Sequence, residues 1–355
     1  MTALAAILAR RIRETGPMTL AEYMTECLLH PRHGYYATRD PFGTGGDFIT
    51  APEISQMFGE LLGLALAQYW LDLGTPAPFT LAETGPGRGT LMADVLRATR
   101  GVPGFHAAAR VALVEASAHL RGVQAQVLAD YPVEWLPDAA ALPEGPLFLL
   151  ANEFFDALPI RQFTRRGGGW SETMVGLSET GALGFGHAPP LPLAALEPRL
   201  TDLAEGDTVE ICPAAVPVMQ SIAGRVARHG GLALIVDYGD WHSRGDTFQA
   251  LRAHRYIHPL SDPGAADLTA HVDFAALARA AGAAGAACAY TTQGDLLNRL
   301  GLPQRAAKLA ERLTGGPLEA HLAAVRRLTA AQEMGTLFKA LAVHPPGAPP
   351  PPGFP

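Results

Sequence analysis

The densest chemistry in the sequence is Glu83-Thr84-Gly85-Pro86-Gly87-Arg88-Gly89-Thr90. A carboxylate stands two residues before three glycines that alternate with other residues. Phe79-Thr80-Leu81-Ala82 leads in with strand-like residues, and Leu91-Met92-Ala93-Asp94-Val95-Leu96 follows with a helical pattern. This order predicts a strand, a tight glycine turn and a helix N-terminus. Glycine is required where the chain turns sharply or where a ligand touches the main chain. The free N–H groups of the helix start favour a carboxylate or another anion.

Two cofactor classes use such a turn. A dinucleotide site requires glycine where Thr90 stands, which disfavours a nicotinamide or flavin oxidoreductase. The acidic-x-G-x-G-x-G spacing is the one seen in S-adenosyl-L-methionine (SAM) methyltransferases. Charge agrees with that choice. SAM carries an ammonium beside its carboxylate, so Glu83 has a cation to hold, whereas it would repel a pyrophosphate. Glu83, Gly85, Pro86, Gly87 and Gly89 are therefore the expected cofactor contacts.

Other carboxylates fall at predicted strand ends. Glu115 closes Val111-Ala112-Leu113-Val114, where a bidentate acceptor matches the two hydroxyls of a ribose. Gly145–Ala151 runs into Asn152-Glu153-Phe154-Phe155-Asp156-Ala157-Leu158-Pro159, and Leu232–Val236 runs into Asp237 and Tyr238. Open α/β sheets place ligands at the C-terminal ends of their strands. Glu153, Asp156 and Asp237 are the catalytic candidates, because carboxylates can hold a guanidinium bidentately and polarise one nitrogen. Asn152 joins the cofactor contacts, and its amide also suits amide methylation. His30 and His33 share a loop without a third ligand nearby, so no metal site is expected.

The elements that must position these groups read as repeated strand–helix units. Strands are predicted at 79–83, 111–115, 133–136, 145–151 and 232–240, with helices near 90–100, 117–129 and 216–228. That pattern is α/β, a Rossmann-like doubly wound parallel sheet. Helices are expected over 3–13, from Thr19 with Glu22 in capping-box spacing, and from Met57 to Trp70. Thr50, Pro52 and Glu53 mark a further helix start, and the glycine-rich stretch 43–55 before it is a candidate lid. A hairpin spans 160–177, and strands follow near 182–185, 208–211, 287–292 and 337–343. Residues 295–330 read as helical.

The chain has 355 residues, 48% of them hydrophobic, and a net charge of −7. Without a basic run, nucleic acid is not an expected partner. No apolar stretch reaches the ~20 residues of a membrane helix. Cys27, Cys212 and Cys288 are far apart and form no C-x-x-C pair, so buried inert thiols are expected. The Arg-rich N-terminus could be an organelle transit peptide. The folded-helix reading is preferred, and with it a cytoplasmic protein.

Four stretches resemble the MidA-like methyltransferases: Ser55–Glu60, Glu83–Leu91, Asn152–Pro159 and Asp267-Leu268-Thr269-Ala270-His271-Val272-Asp273-Phe274. The resemblance runs from about residue 17 to 342. It implies a class I SAM-dependent fold, a seven-stranded sheet with a reversed last strand and extra helical segments. It also implies methylation of a protein arginine, since the family includes a mitochondrial arginine methyltransferase needed for assembly of respiratory complex I. A complex I subunit is then the expected substrate, and a homodimer stays open. Two alternatives remain at this point: a non-catalytic SAM-binding assembly factor, and an amide or small-molecule N-methyltransferase. The expected organisation is an N-terminal helical cap and lid loop (1–75), a methyltransferase core (76–294) with an insertion (160–220), a helical insertion (295–335), a final core strand (336–343) and a disordered tail (344–355).

Overall fold

The structure is a computed structural model that describes residues 2–38 and 50–355. The chain divides into two compact units, each drawn from three separate segments. One comprises Met1–Phe48, Asp156–Ala215 and Trp241–Asp273, and the other Ile49–Phe155, Val216–Asp240 and Phe274–Pro355.

The larger unit carries β1 (Phe79–Thr84), β2 (Ala109–Val114), β3 (Val133–Leu136), β4 (Leu147–Asn152), β5 (Gly231–Asp240), β6 (Ala287–Thr292) and β7 (Phe338–His344). Among the described residues of this unit these form one sheet in the order β6, β7, β5, β4, β1, β2, β3. Strands β1 to β5 pair in parallel, while β7 lies antiparallel between β5 and β6. The order reverses between β1 and β4, which opens a crevice at their C-terminal ends. Helices α1 (Gln56–Asp72), α2 (Thr90–Thr99), α3 (Ala118–Val127), α4 (Ala215–His229) and α5 (Phe274–Ala283) supply the crossovers and flanks. The parallel strands read as apolar runs because both faces are covered: every residue of β1 and of β4 is buried. Phe58, Leu62, Trp70, Leu81, Phe148 and Leu234 are among the residues of this core.

The seven-stranded sheet with a reversed last strand is thus present, with boundaries moved by a residue or two. Residues 293–337 form four helices, Gln293–Arg299, Leu302–Ala310, Gly315–Thr329 and Met334–Leu337. The expected disordered tail is corrected. Phe354 is 8% exposed within the core of this unit, and the Tyr69 hydroxyl donates to Pro349 O at 3.1 Å. An aromatic ring outweighs the Pro/Gly composition around it.

The smaller unit is built on an antiparallel sheet. Met18–Thr19, Gly169–Leu177, Arg161–Arg166 and Thr208–Ile211 are neighbours in that order, and Leu183–His187 also pairs with Gly169–Leu177. The hairpin at 161–177 turns tightly through Gly167 and Gly168, with φ of 56° and 79°. Helix Leu20–Leu29 has its capping box: Glu22 N–H donates to Thr19 Oγ1 at 3.2 Å, and Thr19 N–H to Glu22 Oε2 at 2.8 Å. Helix Ala3–Thr15 buries Leu4, Leu8 and Ile12 in the same core, as a folded element. Cys27 lies in that core, and burial pushes its thiol up to about 12.

The segment expected as an insertion after residue 160 belongs to this smaller unit together with residues before 48. Strand pairing explains the grouping, since Met18 and Thr19 pair with Val175 and Met174. The candidate lid falls mostly outside the described residues. Its described end is the short helix Ala51–Ile54. Among the described residues, no helix is long and apolar enough to cross a membrane.

Candidate active site

The glycine turn joins β1 to α2. Gly85, Gly87 and Gly89 have φ of 61°, 52° and 85°, in the left-handed region that side chains disfavour. Gly89 N–H donates to Pro86 O at 2.7 Å, which closes the turn, and Gly85 N–H donates to Val114 O at 3.0 Å. At Gly85 the requirement is doubled, because a Cβ there would stand 2.9 Å from Phe154 Cδ2. The turn thus lies against the segment that follows β4.

Glu83 sits at the buried end of β1, 3% exposed. It accepts the Met92 N–H from the first turn of α2, while its Oε2 has no hydrogen-bond partner among the described residues. Burial is the main reason its carboxyl is pushed up to about 8. The Met92 N–H opposes the rise, and Glu115 adds to it. Thr84 Oγ1 and Asn152 Oδ1, at the ends of β1 and β4, are likewise buried without partners among the described residues. Buried polar atoms are normally satisfied, so three such atoms at neighbouring strand ends mark a place where a polar ligand completes the bonding.

Glu115 follows β2. Its Oε1 accepts Ser117 N–H at 2.7 Å and its Oε2 accepts Gln124 Nε2 at 3.2 Å. Burial raises its pKa, and these donors hold the rise back. Arg121 brackets the Glu115 carbonyl oxygen through Nε at 2.7 Å and through its second terminal nitrogen. Gln124 was missed by the sequence reading. The signal was there: Leu120, Gln124 and Leu128 recur every four residues and are all buried, so a polar amide lies on an apolar stripe.

Beyond β4, Glu153 has φ of 49°, unusual for a residue with a side chain. Its N–H is fixed by Val236 O at 2.9 Å. Glu153 Oε1 accepts from Asn152 Nδ2 at 3.1 Å and from Ala51 N at 3.2 Å. The carboxylate therefore caps the short helix Ala51–Ile54. The helix start expected at Thr50, Pro52 and Glu53 is present, although the Thr50 side chain makes no cap bond and Glu53 instead accepts the Thr90 hydroxyl at 2.7 Å.

Asp237, at the end of β5, is fully buried. Its Oδ2 accepts Phe154 N–H at 3.2 Å and Phe155 N–H at 3.0 Å, and its Oδ1 accepts Tyr238 N–H at 2.9 Å. It holds the backbone that follows Glu153. Asp156, the third candidate, opens a segment of the smaller unit and is 5% exposed. There its carbonyl accepts Ala270 N–H at 3.0 Å, and Tyr36 donates to Asp267 Oδ1 at 3.1 Å. Burial first, then Asp267 and Asp156, keep the Tyr36 hydroxyl well above its ordinary range.

The larger unit thus gathers Glu83, Gly85, Pro86, Gly87, Gly89, Glu115, Asn152, Glu153 and Asp237 at one edge of its sheet. Comparison with known proteins identifies what such an edge serves. Residues 61–292 match the family described as "Putative S-adenosyl-L-methionine-dependent methyltransferase". The chain belongs to this family.

Among curated relatives of this methyltransferase, the mitochondrial protein arginine methyltransferase NDUFAF7 of Xenopus tropicalis is 37% identical over 362 residues, 94% of this chain and 84% of that one. The human protein of the same name is 38% identical over 321 residues, 83% of this chain and 72% of that one. A crystal structure from Burkholderia thailandensis, bound to S-adenosyl-homocysteine, is 31% identical with a TM-score of 0.86. It covers 99% of this chain and 94% of that one. The expected cytoplasmic location is overturned, since these NDUFAF7 relatives are named as mitochondrial. The cofactor of this methyltransferase is SAM. The unsatisfied Glu83 Oε2, Thr84 Oγ1 and Asn152 Oδ1 and the cradle at Gly85 fit a ligand with an ammonium and several hydroxyls.

Proposed function

We propose that this methyltransferase acts on an arginine side chain of a protein, and that a respiratory complex I subunit is its target. Glu153 carries the reading. A carboxylate held at φ of 49° at the end of the central strand β4 is a strained placement, of the kind that collects at functional sites. The naming of the relatives as protein arginine methyltransferases supports the same chemistry.

In this reading Glu83 holds the ammonium of SAM, the main chain at Gly85, Pro86, Gly87 and Gly89 receives its amino-acid end, Glu115 takes the ribose hydroxyls and Asn152 completes the donor site. Bound SAM supplies an electrophilic methyl group on a sulfonium. Glu153 holds the guanidinium through a charge-assisted bond and accepts the proton that the attacking nitrogen loses. Asp237 acts through others: it fixes the Phe154 and Phe155 N–H groups and thereby the position of Glu153.

The test is methyl transfer from isotope-labelled SAM onto the protein complement of the source cells, with modified residues located by mass spectrometry. Label on arginine that disappears with Glu153→Gln is the expected result. Label on glutamine or on small amines refutes the substrate assignment. Binding of SAM without transfer to anything supports a silent assembly factor instead.

A further inference from the structure

The donor site depends on Glu115 and on the Gly87 turn being held in one arrangement, although they lie on different loops. Both are tied to one side chain. Gln124, fully buried on α3, donates through Nε2 to Gly87 O at 2.7 Å and to Glu115 Oε2 at 3.2 Å. Its Oε1 accepts the Trp135 indole N–H at 2.9 Å.

We propose that Gln124 is a positioning residue for SAM, locking the strand-two carboxylate to the glycine turn, with Trp135 fixing which way round the amide lies. The inference rests on the donor-site reading above. The chemistry of the partners leaves one orientation. A carbonyl and a carboxylate can only accept, so both face the NH2 group, and an indole N–H can only donate, so it faces the amide oxygen. Both amide hydrogens are then committed, one to each half of the donor site. Trp135 is on β3, outside any ligand contact assigned here, yet it sets the orientation on which both bonds depend. With Ser117 N–H on the other oxygen, Glu115 is pinned at both ends. Both donors also favour its charged form, the form that accepts from a ribose. Of the other groups facing it, Arg121 favours ionisation of Glu115, while the Glu115 charge in turn pushes the Glu83 carboxyl up.

A lock of this kind acts on binding rather than on the methyl-transfer step. Three variants separate the roles. Gln124→Leu removes all three bonds, Gln124→Glu keeps the shape but removes both donors, and Trp135→Phe removes the indole bond alone of the three, together with part of the ring. Each is compared with the unmodified enzyme for KM and Kd of SAM, for kcat at saturating SAM and for thermal midpoint. The expected result is about a tenfold or larger rise in KM and Kd for both Gln124 variants and about a threefold rise for Trp135→Phe. In all three, kcat stays within about twofold, since the transfer step uses other groups. The loss in Gln124→Leu should shrink as pH rises, because the unsupported Glu115 needs a higher pH to ionise.

Glu115→Ala is run alongside. If it leaves SAM affinity unchanged, the donor-site reading itself fails. If it weakens SAM while folded Gln124→Glu and Trp135→Phe bind as tightly as the unmodified enzyme, the positioning role is overturned. A fall in kcat with KM unchanged overturns it too. Should Gln124→Leu not fold, the other two variants still decide.

Discussion

Glu83 offers a sharp test of how the site meets its ligand. In the unliganded chain its carboxyl is pushed up from 4.5 to about 8, chiefly by burial. At about pH 7.5 roughly a quarter of molecules are ionised there, and at about pH 6 roughly 1%. If the SAM ammonium binds only the ionised form, the apparent dissociation constant is the intrinsic one divided by that fraction. An α-amino group with a pKa of ~7.7–8.0 is itself roughly a quarter to two-fifths deprotonated at about pH 7.5, so affinity should then rise about 15- to 19-fold from about pH 6 to about pH 7.5. Calorimetry in two buffers of different ionisation enthalpy should show about 0.8 proton released per SAM near pH 7. Glu83→Gln should bind weakly, with no such slope and no proton release. The linked stability has a definite sign. A raised carboxyl pKa contributes stability fully below the ordinary 4.5, and that contribution is lost as pH rises through about 8. The whole rise corresponds to at most roughly 5 kcal/mol, which Glu83→Gln should not lose on going to alkaline pH. A flat affinity profile together with unimpaired binding by Glu83→Gln would refute the assignment of the ammonium to Glu83.

Gly85→Ala should cost about 1–3 kcal/mol of stability and abolish measurable SAM binding, because its Cβ meets Phe154 and its φ is left-handed; a denaturant titration and calorimetry check both. Phe354→Ala should destabilise the chain by about 3–5 kcal/mol, as expected for a core aromatic, and a midpoint equal to the unmodified one would return the tail to the surface. Glu153→Gln should cut kcat about 100-fold or more with SAM affinity within about threefold, measured by steady-state kinetics. Asp237→Asn should instead lower the thermal midpoint along with kcat, because an NH2 group would face backbone donors; full stability with lost activity would make Asp237 a direct participant.

The sheet was legible because its strands are buried on both faces and read as apolar runs, and because the glycine turn has one backbone solution. Glu83, Glu115 and Asn152 could be placed from strand ends alone. The partition into units was not legible, since it depends on pairing between Met18–Thr19 and Gly169–Leu177, far apart in sequence. The tail misled because Pro/Gly composition speaks to local order, whereas one buried ring decides docking. Gln124 was hidden for a different reason: a glutamine inside a helix looks like a solvated position until the apolar residues four before and four after it are counted.

The same reasoning sorts the carboxylates at the strand ends. Sequence gives them one description, an acidic residue after an apolar run, and the backbone around each then decides its use. Asp237 meets three N–H donors and is drawn into holding a turn. Glu83 meets a helix terminus on one side and, among the described residues, no partner on the other, so its buried carboxyl is poised to ionise against a cation. Glu153 lies between these cases, because its carboxylate also caps the helix Ala51–Ile54. That helix is joined at Glu53 to the Thr90 hydroxyl, at the start of α2. One short element therefore connects the proposed acceptor carboxylate to the helix that follows the glycine turn. Strain at Glu153 is tolerated because Val236 O, Ala51 N–H and Asn152 Nδ2 hold it on three sides. A carboxylate fixed so firmly before any substrate arrives has little reorganisation left to undergo when a guanidinium binds, which is what electrostatic preorganisation requires.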